Sequence, residues 1–162
     1  MINHNNQQIV ANLPTIAVFG IGYVGLVTAI CLAKIGNKVI AVDNNNEKIT
    51  QLKNGLMPIY EPGLGDLLKS IPDQQKPFFT TDADFAISQS KLIFIAVGTP
   101  QSADGSADLS AVFDCVNLVT KFAKSDKIIV TKSTVPAGTG AEIFRTSSPP
   151  LQKVREVNLG HT

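Results

Sequence analysis

Six consecutive residues combine type and spacing in a way that can do chemistry: Gly20, Ile21, Gly22, Tyr23, Val24 and Gly25. The pattern G-x-G-x-x-G places bare backbone at the start of a helix, where free N–H groups and the helix dipole favour an anion such as a pyrophosphate. Each glycine has a mechanical reason. Gly20 permits a tight turn, Gly22 lets the backbone approach a phosphate with no Cβ in the way, and Gly25 lets helix and strand pack closely. Asp43 stands 18 residues past Gly25, where a carboxylate accepts hydrogen bonds from ribose hydroxyls and repels a 2′-phosphate. That geometry prefers NAD to NADP. Lys48, in the next helix, can reach the same ribose or its phosphate. Plainer readings stand beside these: a strand-to-helix turn for the glycines, a helix cap for Asp43, and a solvated helix lysine for Lys48.

Two further loops carry hydroxyls. "GTP" at Gly98, Thr99 and Pro100 and "STVP" at Ser133 to Pro136 each follow an apolar strand, and ligands of an open α/β sheet bind at the carboxyl ends of its strands. Thr99, Ser133 and Thr134 can face a cofactor there, or can simply cap turns.

The elements that must position these groups are readable from apolar runs and their punctuation. Ile16 to Phe19 is a strand that stops at glycine, and Tyr23 to Ile35 is a helix closed by Gly36. "KVIAVD" is a second buried strand, and "NNNEKITQLKNG" an Asn-capped helix with a glycine stop. After a Pro- and Gly-rich loop come a short helix ending at Pro72, a strand in "PFFTTD", and a helix over Ala83 to Ser88 capped by Asp82. "KLIFIAVGTP" and "KIIVTKSTVP" supply a fourth and a fifth strand, separated by a helix from Leu109 to Phe122. Strands alternating with helices predict an α/β fold: a Rossmann-type, doubly wound, mostly parallel sheet with helices on both faces, in a single domain. Its limits are 15–140, after a polar leader over 1–14 and before a divergent tail over 141–162 that holds a turn or two of helix and no sixth strand.

Composition narrows the partners. The chain has 162 residues, 44% hydrophobic and 17% charged, with a net charge of +1, enough for one core and too balanced to suggest nucleic acid or an anionic membrane surface. Ile16 to Ala33 is eighteen residues without a charge, the length of a membrane span. Three glycines within it and the lack of a basic flank argue instead for buried structure. Two cysteines, Cys31 and Cys115, lie far apart in apolar surroundings, so neither a disulfide framework nor a metal site is expected, and the setting is a reducing cytoplasm. Both read as packing residues of helices.

Four stretches together resemble the UDP-glucose/GDP-mannose dehydrogenase family, and within it the UDP-glucose 6-dehydrogenases: "IAVFGIGYVGLVTAICLAKIGNKVIAVD", "NGLMPIYEPGL", "IFIAVGTPQSADGSADLS" and "IIVTKSTVPAGT". The resemblance runs from about Ile16 to Gly140, and "PIYEPGL" and "KSTVP" are not general nucleotide-binding features. It implies an NAD-binding N-terminal domain of an enzyme that oxidises a nucleotide sugar twice at C6, giving a uronate and two NADH. Carried over by position, Gly20 to Gly25 hold the pyrophosphate, Asp43 and Lys48 the adenosine end, and Val97, Gly98, Thr99 and Pro100 the middle of NAD. Thr134 lies near the nicotinamide in a supporting catalytic role, Ser133 beside it is a cofactor-facing hydroxyl, and Glu61 of "YEPGL" stands near the mouth of the site. Members of the family also use a nucleophilic cysteine from a later glycine-rich segment, which neither Cys31 nor Cys115 matches. The reading is therefore an NAD(H)-binding domain without sugar oxidation of its own. The alternatives are one half of a split dehydrogenase that meets its substrate domain on another polypeptide, and a regulatory remnant; self-association through uncovered apolar faces is a further expectation.

Overall fold

The computed structural model describes residues 13–146. The first twelve residues of the expected leader and the tail after residue 146, where a sixth strand was not expected, lie outside them. Five strands form one sheet: β1 (Ile16–Phe19), β2 (Val39–Val42), β3 (Phe78–Thr80), β4 (Leu92–Ile95) and β5 (Ile128–Thr131). The order across the sheet is β3-β2-β1-β4-β5, and every pairing is parallel. Helices make the crossovers: α1 (Tyr23–Lys34), α2 (Asn46–Lys53), α3 (Leu64–Lys69), α4 (Ala83–Gln89) and α5 (Ser110–Phe122), and a further helix, α6 (Thr139–Thr146), follows β5.

Both faces of the sheet are covered, which is why the strands read as unbroken apolar runs rather than as alternating ones. Successive side chains point to opposite faces. Ile16 and Val18 of β1 join Leu26, Ala29 and Ile30 of α1 and Ile49 of α2 in one cluster. Ala17 and Phe19 join Ala86 and Ile87 of α4, and Val112, Val116 and Val119 of α5, in the other. Leu26 and Ile30 have no exposed surface, so each contributes about 2 kcal/mol by leaving water. The start of the tail belongs to this core as well, since Ile143 of α6 packs in the second cluster.

Local chemistry sets the ends of the elements. Asn45 caps α2 by accepting from the Lys48 amide, and Asp82 caps α4 by accepting from the Phe85 amide. Gly36, with a φ of +97°, turns the chain out of α1.

The register then does the positioning. Phe19 pairs with Val42 on one side and Ile95 on the other, Val42 with Thr80, and Ile95 with Thr131. The last residues of all five strands therefore stand in one row. The sequence direction of the sheet reverses at β1, between β2 and β4, so a crevice opens above that row at the switch point.

Candidate functional site

Three glycine positions of the β1–α1 turn differ in what a side chain would meet. Gly20 has a φ of +85°, and a Cβ there would lie 2.8 Å from the backbone of Ala96 and Val97. A Cβ on Gly25 would stand 1.7 Å from the Gly20 carbonyl oxygen, so α1 sits on the turn with no room for a methyl group. Gly22 is the opposite case: nothing lies within 4 Å of its missing Cβ. Its φ of −81° suits any residue, so the fold itself does not require a glycine there and the backbone is left bare toward the outside. No side chain caps α1, and no acidic residue occupies its first turn, which leaves the positive end of its dipole facing out. Those are the terms on which a pyrophosphate fits.

Asp43 follows β2 and is 8% exposed. Its Oδ2 accepts from the Ile21 amide at 2.8 Å and from Lys48 Nζ at 2.9 Å, and its Oδ1 accepts from the Asn45 amide at 3.0 Å. Burial pushes its carboxyl toward neutrality, but the Asn45 amide, Lys48 and the Ile21 amide outweigh that and hold it below the ordinary aspartate range. Of the two readings of Asp43 in the sequence, helix cap and ribose acceptor, the cap is made by Asn45 instead. Lys48 is not merely solvated, because it pairs with Asp43.

A cleft of about 480 Å³ runs along this rim. Gly20, Gly22, Asp43, Lys48, Val97 and Gly98 line it together, so the glycine turn, the Asp43 carboxylate and the β4 loop meet on one cleft. The cleft then continues between Thr81 and Ala83 at the start of α4 and one face of α5: Ala111, Asp114, Cys115 and Leu118. These residues escaped sequence reasoning. Their signal is the spacing i, i+3, i+4, i+7, one stripe of a helix, which the stronger Val112, Val116, Val119 pattern obscures.

The other expected residues stand around the cleft rather than in its lining. Ile21 is buried, holding Asp43 through its amide, while Tyr23 and Val24 are exposed on the first turn of α1. The β4 and β5 loops are tied together: Thr99 Oγ1 donates to the Thr134 carbonyl at 2.9 Å, and Ser133 Oγ donates to the Val97 carbonyl at 2.7 Å. Pro100 accepts from the Asp108 amide, closing the base of the next loop. Glu61 is exposed in the turn before α3, where its carbonyl accepts from the Leu64 amide.

One reading is corrected. Cys31 is exposed on α1 rather than packed in the core. The face of α1 that meets the sheet carries Gly25, Leu26, Ala29, Ile30 and Ala33, and Cys31 points away from it. Cys115 is buried as expected, and burial together with the Asp114 charge pushes its thiol up to about 11. Among the described residues, no group of three or more ligating side chains that could hold a metal occurs, and no helix is long and apolar enough to cross a membrane.

Comparison with known proteins bears on the same rim. Residues 14–160 match the model of the NAD-binding domain of the UDP-glucose/GDP-mannose dehydrogenase family. The UDP-glucose 6-dehydrogenase TuaD of Bacillus subtilis is 51% identical over 125 residues, covering 77% of this chain and 27% of that protein. That of Rhizobium meliloti is 44% identical over 131 residues, 80% of this chain and 30% of that one. Among solved structures, a UDP-glucose dehydrogenase from Pyrobaculum islandicum superposes with a TM-score of 0.82 at 31% identity, over 96% of this chain and 36% of that one. A GDP-mannose dehydrogenase from Pseudomonas aeruginosa gives 0.79 at 32% identity, over 87% and 34%. The chain thus spans about 30% of the length of the curated relatives it matches.

Proposed function

The chain belongs to the UDP-glucose/GDP-mannose dehydrogenase family, as its NAD-binding domain, and from that premise we propose that these 162 residues bind NAD(H) on the glycine-turn rim without oxidising a nucleotide sugar by themselves. The observation that carries the binding half is Gly22, whose open Cβ position lies on a cleft shared with the Asp43 carboxylate.

On this reading the turn from Gly20 to Gly25 grips the pyrophosphate with the amides at the head of α1. Asp43 has three protein donors and room for a fourth, so it accepts from a ribose hydroxyl while Lys48 steadies its charge. Val97 to Pro100 face the middle of the dinucleotide. Ser133 and Thr134, on the loop held to β4, lie toward the nicotinamide, with Thr134 placed to support chemistry there and Glu61 toward the sugar. NAD, when bound, supplies the acceptor for a hydride.

The inactive half of the proposal rests on the thiols. Oxidation through a thiol-bound intermediate needs an activated thiolate. Cys115 is buried with its thiol pushed up to about 11, and Cys31 sits on α1 outside the cleft lining. The reacting thiol and the sugar pocket therefore come from residues beyond these 162, in a protein whose whole reaction is the NAD-dependent conversion of UDP-glucose to UDP-glucuronate in the cytoplasm. Self-association or a partner polypeptide covers the apolar surface that remains.

Titrating NADH into the chain, followed by its fluorescence and by heat, is expected to give saturable binding. No signal at millimolar nucleotide overturns the binding reading. With UDP-glucose and NAD the pure chain is expected to form no NADH, and sustained production overturns the second clause.

A further inference from the structure

The cleft extends past Asp43 into a part that the dinucleotide fingerprint does not describe. With the pyrophosphate at Gly22 and the ribose at Asp43, the base attached to that ribose would occupy the rest of the same cleft, whose lining includes Ala83 of α4 and the α5 stripe. Three of the stripe residues, Ala111, Cys115 and Leu118, are apolar, and the two alanines are small enough to admit a flat ring. The fourth is Asp114, a carboxylate one helical turn from Ala111 and from Leu118. It is exposed and is one of the residues lining the cleft.

We propose that Asp114 is a specificity-determining residue of the cofactor site, accepting a hydrogen bond from the exocyclic amine of adenine, with Ala83, Ala111, Cys115 and Leu118 forming the apolar seat of the ring. The assignment rests on the NAD-binding reading and adds to it the choice of base. The chemistry follows from the donor and acceptor inventory: a carboxylate only accepts, and the 6-amino group is the donor on that edge of adenine. A ring between apolar walls with a single charged acceptor at its edge is the common form of a small-molecule pocket, in which a few polar groups fix orientation. The placement on helix α5 matters too, because a residue on a packed helix holds its position better than one on a loop.

The test compares two dinucleotides: NAD, and its analogue whose base is unsubstituted purine, which keeps the ring and lacks the amine. Calorimetric titration of the 162-residue chain is expected to give about a tenfold tighter complex with NAD, the size of one hydrogen bond to a charged acceptor on an open rim. In Asp114→Ala the two dinucleotides are expected to bind alike. Asp114 is exposed, so the variant keeps the fold, which circular dichroism checks. An Asp114 that acts only through general charge shifts both affinities together and leaves their ratio, and that unchanged ratio overturns the assignment. Equal binding of the two by the unmodified chain overturns it as well. Binding of neither overturns the NAD-binding reading and the assignment with it, so the two failures are distinct.

Discussion

The carboxylate of Asp43 accepts the Ile21 amide proton across 2.8 Å, and so fastens the end of β2 to the glycine turn at the end of β1. One residue thereby serves two purposes. It shapes the glycine turn through its Oδ2 and presents its charge to the cleft, with Lys48 on the same oxygen. Because the turn depends on the ionised form, the fold and the site share one titration.

Acid stability is the first consequence. Asp43 is held below the ordinary aspartate range in the folded chain, so the unfolded chain takes up the proton first as the pH falls. The stabilisation is fully present above about pH 4 and is lost as the pH drops through the folded-state value. Asp43→Asn removes the charge at every pH. It is expected to cost about 2 kcal/mol near neutrality and to flatten the acid limb of a urea-midpoint profile between pH 5 and 2. An unchanged acid limb would mean that other carboxylates govern it.

The glycines are expected to separate folding from binding. Gly25→Ala puts a methyl group onto the Gly20 carbonyl, which forces α1 away from the turn and is expected to cost about 3 kcal/mol. Gly22→Ala meets nothing within 4 Å and keeps an allowed φ. Its melting temperature should stay close to that of the unmodified chain while NADH affinity falls by about tenfold or more, because the methyl group occupies the phosphate approach. Thermal melts and fluorescence titrations on both variants decide this; a Gly22→Ala chain that binds normally would place the phosphate elsewhere.

How much of this was legible in the sequence depends on the range of the interaction. The order of elements was, because Gly20, Gly36 and Gly98 punctuate apolar runs whose lengths separate strand from helix, and Asp82 caps its helix as its position suggests. The Asp43–Ile21 bond was not, since it joins residues 22 apart that meet only once β2 lies beside β1. Cys31 was misplaced for a different reason: α1 is apolar on nearly all sides, so its periodicity does not say which face meets the sheet. On α5 two stripes compete, and the one with three valines hid the one that lines the cleft.

A buried cation away from the cleft offers a test of the scaffold alone. Lys127 precedes β5, is 5% exposed, and donates through Nζ to the carbonyls of Ile87 and Ser90 at 2.6 Å each. It thus holds the last carbonyls of α4, where a positive charge also suits the helix dipole. Lys127→Met leaves those carbonyls without that donor and is expected to lower stability by about 2 kcal/mol, read as a lower urea midpoint with unchanged slope. The exposed Lys124→Met is the control, expected to shift stability by less than about 0.5 kcal/mol.

The two thiols provide a readout of the cleft itself. Cys31 is exposed and Cys115 buried, and the Cys115 thiol, raised to about 11 by burial and by Asp114, is almost wholly protonated near pH 7. A thiol-reactive chromophore is therefore expected to modify one cysteine quickly and the other about a hundredfold more slowly, with both reacting at once in denaturant. Cys31→Ser should abolish the fast phase, and Cys115→Ala the slow one. Since Cys115 lines the cleft beyond Asp43, saturating NADH should slow the slow phase further and leave the fast phase alone. Protection of Cys31 instead, or of neither, would put the nucleotide away from the α5 wall.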